Sequence, residues 1–361
     1  MKKQKKRIAV IGLKGIPAFG GAAAVGENII NQLKHEFDFT VYATSSHTHL
    51  KSGLYNGIQL VVFRKIFPGS INVLYYYILS SFHSLFKSFD LIHLNHSTAA
   101  FILFILRLKY KVVSTSHGLK TDNKWKYLKM YIRLQAKILL KYSTEITTVS
   151  KIEYDEYCDE FSNIHYIPNG VNIVNDIPSV PEKEEYILFM AGRIIPIKGC
   201  HLFLKALKEI GAKEKILIVG DLDQMLSYKK EITELAKDLN VQFLDIIKDK
   251  KLVYSYLSNA KLFIFPSLYE NMSMMLLEAV SVKTNMISSN IPQNTTIFSD
   301  DEMLFFESNN YQDLSEKIKY AFCNPEEMKQ RQLKSYDKVV NKYSWEHVAK
   351  EYRKLYIKLI C

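Results

Sequence analysis

"IAVIGLKGIPAFGGAAAVGENIINQL", Ile8 to Leu33, sets four glycines between an apolar run and a stretch of helical periodicity. A short apolar run, a glycine-rich turn and an amphipathic helix form the strand-turn-helix unit of a parallel sheet. Two nucleotide-binding readings fail on spacing. The dinucleotide fingerprint needs GxGxxG, whereas Gly12, Gly15, Gly20 and Gly21 read GxxGxxxxGG; a Walker loop has the Gly15–Gly20 spacing, but Gly21 and Ala22 stand where Lys and Ser belong. What remains is a flexible Gly-Gly turn opening onto a helix whose first N–H groups could meet a phosphate or a sugar oxygen. A plain structural turn fits the same residues.

The pattern continues down the chain. "FTVYAT", "IQLVVFR", "LIHLNH", "KVVSTSHG" and "EITTVS" follow in the first half. After "YIPNGVN" the second half begins again with "YILFMAGRI", "KILIVGD", "VQFLD", "LFIFPS" and "TNMISSN", with helices predicted near 201–210, 225–239 and 274–282. Strand-helix alternation repeated twice predicts an α/β chain of two doubly wound, Rossmann-like domains. The turn signal Pro168-Asn169-Gly170 and the polar stretch behind it place the boundary, giving domains 1–170 and 171–340. The closing "YSWEHVAKEYRKLYIKLI" reads as a helix, 341–361, packing back through Val348, Tyr352, Leu355 and Leu359.

The chain has 361 residues, 48% of them hydrophobic, and a formal charge of +11. Residues 1–170 hold 22 Lys/Arg against 11 Asp/Glu, so of the totals of 48 and 37 the second half keeps 26 of each. All the excess is in the first half, which suits an anionic partner, nucleic acid or a membrane surface. Cysteines 158, 200, 323 and 361 lack CxxC or His-paired spacing, so reduced thiols in a cytoplasmic compartment are expected. The basic start "MKKQKKR" precedes too short an apolar run for a signal peptide. Apolar stretches such as "AAFILFIL" fall short of the roughly 18–20 residues that span a bilayer.

In such sheets ligands sit at the carboxyl ends of strands. Arg193 ends one strand in "AGRIIPIKG" and Lys198 follows at the approach to a helix; a guanidinium fork and an ammonium beside a helix N-terminus suit a diphosphate. In "FPSLYENMSMMLLEA", Glu270 ends a strand loop and Glu278 lies inside the next helix. Carboxylates accept hydrogen bonds from sugar hydroxyls, and helix-initial N–H groups near Met274 and Met275 can cradle phosphate oxygens.

The "GRxxxxKG" of Arg193 and Lys198, the ExxxxxxxE of Glu270 and Glu278, "PNGVN" and the N-terminal Gly-Gly loop together resemble retaining glycosyltransferases of the GT-B fold, family 4 type. The match covers nearly the whole chain. The first loop also resembles a bacterial polysaccharide, rhamnosyltransferase-like subgroup. The resemblance implies two Rossmann-like domains facing across a cleft. Arg193, Lys198 and the N–H groups of Met274 and Met275 would hold the donor diphosphate, and Glu278 the ribose. Glu270 would hold the transferred sugar, Gly20 and Gly21 would approach the donor phosphate, and His117 would be the active-site histidine. It implies a nucleoside-diphosphate sugar as co-substrate and no metal or other cofactor. "DLD", Asp221 to Asp223, resembles the metal-binding DxD of another glycosyltransferase fold, but no second ligand cluster accompanies it. Lys283 and Asn285 depart from the family, which commonly has Gly and Pro there, and Asn271 stands where many members have Gly.

The basic excess centres on Lys124, Lys126, Lys129, Arg133, Lys137 and Lys141, a cationic stripe with Leu128, Ile132 and Leu139 on its apolar side. Such a helix can lie on anionic lipid headgroups. Tyr75, Tyr76, Tyr77, Phe82, Leu85 and Phe86 form an aromatic segment suited to the same interface. With the family resemblance, the expected acceptor is a polyprenyl-linked glycan at the inner face of the cell membrane, and no nucleic acid is expected. A nucleotide-sugar epimerase or a non-catalytic sugar-nucleotide-binding protein would share the fold.

Overall fold

The computed structural model describes residues 5–18, 21–119, 126–174, 176–177 and 185–361, with the backbone alone for 126–128. The chain divides into two compact units, Met1–Gly170 with Trp345–Cys361, and Val171–Ser344.

The first unit is built on strands β1 (Lys6–Lys14), β2 (Phe37–Thr44), β3 (Gly53–Tyr55), β4 (Ile58–Phe63), β5 (Leu91–Leu94), β6 (Val112–Ser116), β7 (Glu145–Thr148) and β8 (Ile164–Tyr166). They form one sheet in the order β3-β4-β2-β1-β5-β6-β7-β8, parallel except for the β3–β4 hairpin. Its helices are α1 (Gly21–Leu33), α2 (Gly69–Leu85), α3 (Leu103–Leu106), α4 (Lys126–Tyr142) and α5 (Lys151–Tyr157). Central strands such as β5 and β6 are buried along their whole length, as expected of strands covered on both faces. On one face Ala9, Ile11, Ile92 and Leu94 pack with Tyr76, Leu103, Leu106 and Leu139 from α2, α3 and α4.

The second unit carries β9 (Tyr186–Arg193), β10 (Lys215–Asp221), β11 (Val241–Leu244), β12 (Leu262–Phe265), β13 (Met286–Ser289) and β14 (Leu304–Phe306), all parallel, in the order β11-β10-β9-β12-β13-β14. Its helices are α6 (Cys200–Glu209), α7 (Leu226–Ala236), α8 (Lys250–Ser258), α9 (Met274–Ser281), α10 (Pro292–Thr295), α11 (Tyr311–Cys323) and α12 (Pro325–Tyr343). Ile187 and Phe189 of β9 bury against Phe203 and Leu207 of α6, Ile232 of α7 and Ile318 of α11. The strand order reverses between β9 and β12, so the carboxyl ends of those two strands form the switch point of this sheet.

The last helix, α13 (Trp345–Ile360), belongs to the first unit. Tyr352 and Tyr356 are buried, and Arg353 Nε and Glu36 Oε2 pair at 2.5 Å. Trp345 closes over Gly170, where an added Cβ would come within 2.5 Å of the indole.

Candidate functional site

In the second unit the sequence-predicted residues gather at the β9/β12 switch point. Arg193 is the last residue of β9 and is exposed, with no ion-pair partner among the described residues. A short 3₁₀ turn, Pro196–Lys198, leads to Gly199 in the left-handed region at φ 74°, and α6 begins at the next residue. A Cβ at Gly199 would sit 2.0 Å from the Pro266 carbonyl oxygen, so only glycine lets the Lys198 turn lie against the loop after β12. Leu268 N–H donates to Ile197 O at 2.8 Å and joins the two loops.

That contact brings Lys198 Nζ to 2.6 Å from Glu270 Oε1, which also accepts from Ser267 Oγ at 2.8 Å. The ammonium expected at a diphosphate and the carboxylate expected at a sugar are thus paired with each other. Ser273 caps α9, its Oγ accepting from Leu276 N at 3.4 Å. Met274 and Met275 are the first two residues of α9, whose N–H groups have no carbonyl one turn back within the helix.

One turn further along α9, Glu278 is buried, its side chain 4% exposed, and Oε1 takes an ion pair from Lys250 Nζ at 2.6 Å. Oε2 is buried and has no hydrogen-bond partner among the described residues. Burial raises the carboxyl above its usual range, while the Lys250 charge and hydrogen bond pull it back. Tyr254 stands in the same field, its phenol pushed up by burial and by the Glu278 charge. Lys250 and Ser267 were not singled out by sequence reasoning; Lys250 sits in the run "KDKK", where no spacing points to Glu278. Asp221 and Asp223 serve the β10 turn: Asp221 accepts from Asp223 N at 2.9 Å and Gln224 Nε2 at 2.8 Å, and Asp223 pairs with Lys229 at 2.5 Å.

Lys283 has φ 56°, so this lysine occupies the left-handed position that closes α9. Gln332 of α12 hydrogen-bonds its carbonyl, and its ammonium lies 4.4 Å from the Tyr336 ring centroid. Those contacts hold a conformation that the family commonly assigns to glycine.

In the first unit, Gly20 lies outside the described residues. Gly21 is exposed and opens α1, and a Cβ there meets nothing within 4 Å among the described residues. The tight glycines of this loop are Gly12, at φ 119°, where a Cβ would come to 3.1–3.2 Å from the backbone of Asn95 and His96, and Gly15, where it would come to 2.3 Å from His47 O. Ala18 N–H donates to Glu27 Oε2 at 2.7 Å and ties the loop to α1.

His117 stands directly after β6, half-buried. Burial pushes its imidazole down to about 3, with the neighbouring His96 and His93 adding to the shift and a backbone hydrogen bond to Asn95 opposing it. It is a neutral ring at neutral pH. Its turn is held by Glu153, a residue missed in the sequence: Glu153 Oε1 accepts from Leu119 N at 2.5 Å, and Oε2 from Thr148 Oγ1 at 3.0 Å. Each partner comes from a different strand end, so the signal is tertiary.

The other two histidines have structural work. His93 is 1% exposed, with Nε2 at 2.7 Å from Thr115 Oγ1 and Nδ1 at 2.7 Å from Tyr356 OH of α13. His96 caps the turn after β5, its Nδ1 accepting from Thr98 N and Thr98 Oγ1.

Around the basic stripe, Lys124 and the side chains of Lys126 and Leu128 lie outside the described residues. Arg133, Lys137 and Lys141 are exposed on α4 while Leu139 is buried, and none of the three has an ion-pair partner among the described residues. The aromatic segment of α2 is corrected in part: Phe82 and Phe86 are exposed, but Tyr76 and Tyr77 are buried, and Tyr76 OH bridges Gly12 N at 3.0 Å and Tyr42 O at 2.9 Å. A phenol there satisfies backbone groups at the end of β1 instead of facing an interface. No helix among the described residues is long and apolar enough to cross a membrane.

Residues 174–338 match the family model "Glycosyl transferases group 1", and residues 19–174 match "Glycosyltransferase Family 4". A probable sucrose-phosphate synthase of Thermosipho melanesiensis is 27% identical over 281 residues, 70% of this chain and 65% of its own length. The O-antigen chain mannosyltransferase RfbU of Salmonella typhimurium is 30% identical over 169 residues, 45% of this chain and 47% of its own. The chain therefore spans less than two thirds of the length of these relatives. Among solved structures, Anabaena HepE in complex with UDP and glucose superposes with a TM-score of 0.78 at 15% identity, covering 98% of this chain and 100% of that one. That likeness shows a shared fold of two Rossmann-like units, the GT-B architecture. With two family models side by side over residues 19–338, the chain belongs to the glycosyltransferases of the family 4 type.

Proposed function

We propose that the protein transfers a sugar, with retention of configuration, from a nucleoside-diphosphate sugar to a hydroxyl of a lipid-linked glycan in surface polysaccharide synthesis. The observation that carries this reading is the pair of carboxylates along one short segment: Glu270 against Lys198, and buried Glu278 with a spare acceptor oxygen beside Lys250. The spare oxygen suits a ribose hydroxyl, which needs an acceptor in a dry site. Between the two lie the first N–H groups of α9, and Arg193 stands at the neighbouring strand end. Arg193, Lys198 and those N–H groups would stabilise the charge that develops on the leaving diphosphate, so the reading assigns that task to the protein and to no metal. In the same-face displacement, the bond from the sugar C1 to the phosphate oxygen breaks as the acceptor oxygen bonds to C1. The acceptor proton passes to the leaving phosphate. His117, neutral at working pH, would act as a hydrogen-bonding group toward sugar hydroxyls, and Gly20 and Gly21 would leave room beside the phosphate.

The solved relative bound to UDP and glucose, and the O-antigen mannosyltransferase, support the donor class and the polysaccharide setting. The lipid-linked acceptor and attachment to the inner face of the membrane rest on the exposed cations of α4. Thermal unfolding with UDP-, dTDP- and GDP-sugars tests the donor: at least one should raise the midpoint, since a ligand of the native state stabilises it. Glu270→Ala should abolish transfer and leave nucleotide protection measurable; loss of neither would overturn the assignment.

A further inference from the structure

Helix α2 is inverted with respect to water. The residues it buries are Asn72, Tyr76, Tyr77, Ser80, Ser81 and Ser84. Each buried serine hydroxyl donates to a carbonyl of the same helix at 2.7 Å, and Asn72 Nδ2 donates to Thr44 Oγ1 at 3.0 Å. Apart from the Tyr77 hydroxyl, which is buried with no hydrogen-bond partner among the described residues, these polar groups are satisfied inside the protein. The opposite face holds Ile71, Leu74, Ile78 and Phe82, at 59%, 45%, 36% and 49% exposure, followed by Phe86 at 85%. The spacing i, i+3, i+7, i+11 makes one continuous line along the helix. Phe104 and Leu108, at 50% and 79%, extend it from α3 and the residues just after that helix. A contiguous apolar face of this extent, unlike scattered surface leucines, marks an interaction site.

The charges around it choose the partner. No Asp or Glu occurs from residue 39 to 89, while Arg64 and Lys65 precede α2 and Lys87 follows it, all three exposed. Cations at both ends of an apolar face can reach phosphate groups while the face is immersed. A soluble protein partner of ordinary composition would not require so long a carboxylate-free sequence around the helix.

We propose that the exposed face of α2 inserts into the acyl boundary of an anionic bilayer, anchored by Arg64, Lys65 and Lys87. This rests on the membrane-acceptor reading above and deepens it: α4 supplies electrostatic attraction, and α2 supplies an apolar anchor that salt does not screen.

The test uses the full chain with vesicles of phosphatidylglycerol and phosphatidylcholine. A Phe82→Trp variant should shift its emission to the blue on vesicle addition and be quenched by acyl-brominated lipid, after subtraction of the parent signal. Binding should persist in 0.5 M salt, roughly the range where surface attraction is largely screened. Ile78→Glu/Phe82→Glu should lower that salt-resistant binding at least tenfold, with the thermal midpoint and nucleotide protection unchanged, because both positions are exposed. Absence of acyl quenching, or vesicle binding wholly lost in salt, would overturn the proposal. So would a dimer in solution that the double substitution splits, since the face would then be covered by a second copy. Insertion without protection by any nucleotide sugar would sink the transferase reading and leave this one standing. Protection without insertion would do the reverse.

Discussion

Lys250 Nζ lies 2.6 Å from Glu278 Oε1, and the ammonium is 61% exposed while the carboxylate is 4% exposed. The lysine is the countercharge that opposes the upward pull of burial on the Glu278 carboxyl, beside an unused acceptor oxygen. Lys250→Met should cost about 1 kcal/mol, less than a fully buried pair because the ammonium is partly screened. Lys250→Met/Glu278→Gln should recover that stability and should weaken nucleotide protection by about tenfold. Urea midpoints and thermal shifts read the two effects separately; a double variant no more stable than the single would contradict the pairing.

Two glycines should respond oppositely to alanine. Gly199→Ala forces a Cβ to within 2.0 Å of Pro266 O at φ 74°, and should lose about 2 kcal/mol or more. Gly21→Ala meets open space at a helix start and should be neutral or stabilising by about 0.5 kcal/mol. If Gly21 approaches the donor as proposed, its transfer rate should still fall at least tenfold. Unchanged transfer in a folded Gly21→Ala protein would remove that role.

Lys283→Gly relieves a left-handed lysine and should stabilise the protein by about 0.5–1 kcal/mol, reduced by the lost contact with Tyr336. A drop in the denaturation midpoint would mean that the α12 contacts outweigh the backbone strain.

Acid should loosen the first unit through His93. Burial lowers its imidazole from 6.5 to about 3, so between those values the unfolded chain binds a proton that the folded chain does not. Stability therefore falls as pH drops below about 6.5, at up to about 1.4 kcal/mol per pH unit for this one group. His96 and His117, lowered to about 4 and about 3, act in the same direction. His93→Gln should flatten the slope between pH 6 and 4 by close to one proton, measured from urea midpoints at each pH. An unaltered slope would show that His93 does not carry it.

Both sheets were legible because parallel strands buried on two faces are written as unbroken apolar runs such as "IAVIGL" and "LFIF". The three-residue strands β3, β8 and β14 were not, since so short a run has no period to read. Arg193, Lys198, Glu270 and Glu278 could be located because strand ends at a switch point follow from the alternation itself. Their partners could not: Lys250 and Ser267 meet Glu278 and Glu270 only through tertiary packing, as Glu153 meets the turn after β6 in the first unit. The inversion of α2 was hidden for a related reason. Tyrosine, isoleucine and serine alternate around that helix, and composition alone favours burying the isoleucines. Only the backbone groups waiting at Gly12 and Tyr42 explain why Tyr76 faces inward.

The return of α13 to the first unit has a consequence for how the chain is made. His93, Thr115 and Thr147 wait for Tyr352 and Tyr356, whose codons are translated only after those of the whole second unit. On the ribosome the second unit, continuous from Val171 to Ser344, has all of its residues before the first has its final helix. The patch of the N-terminal unit that α13 covers therefore stays uncovered until the second unit has been made, and a nascent chain stalled near residue 344 should be a substrate for chaperones and proteases there.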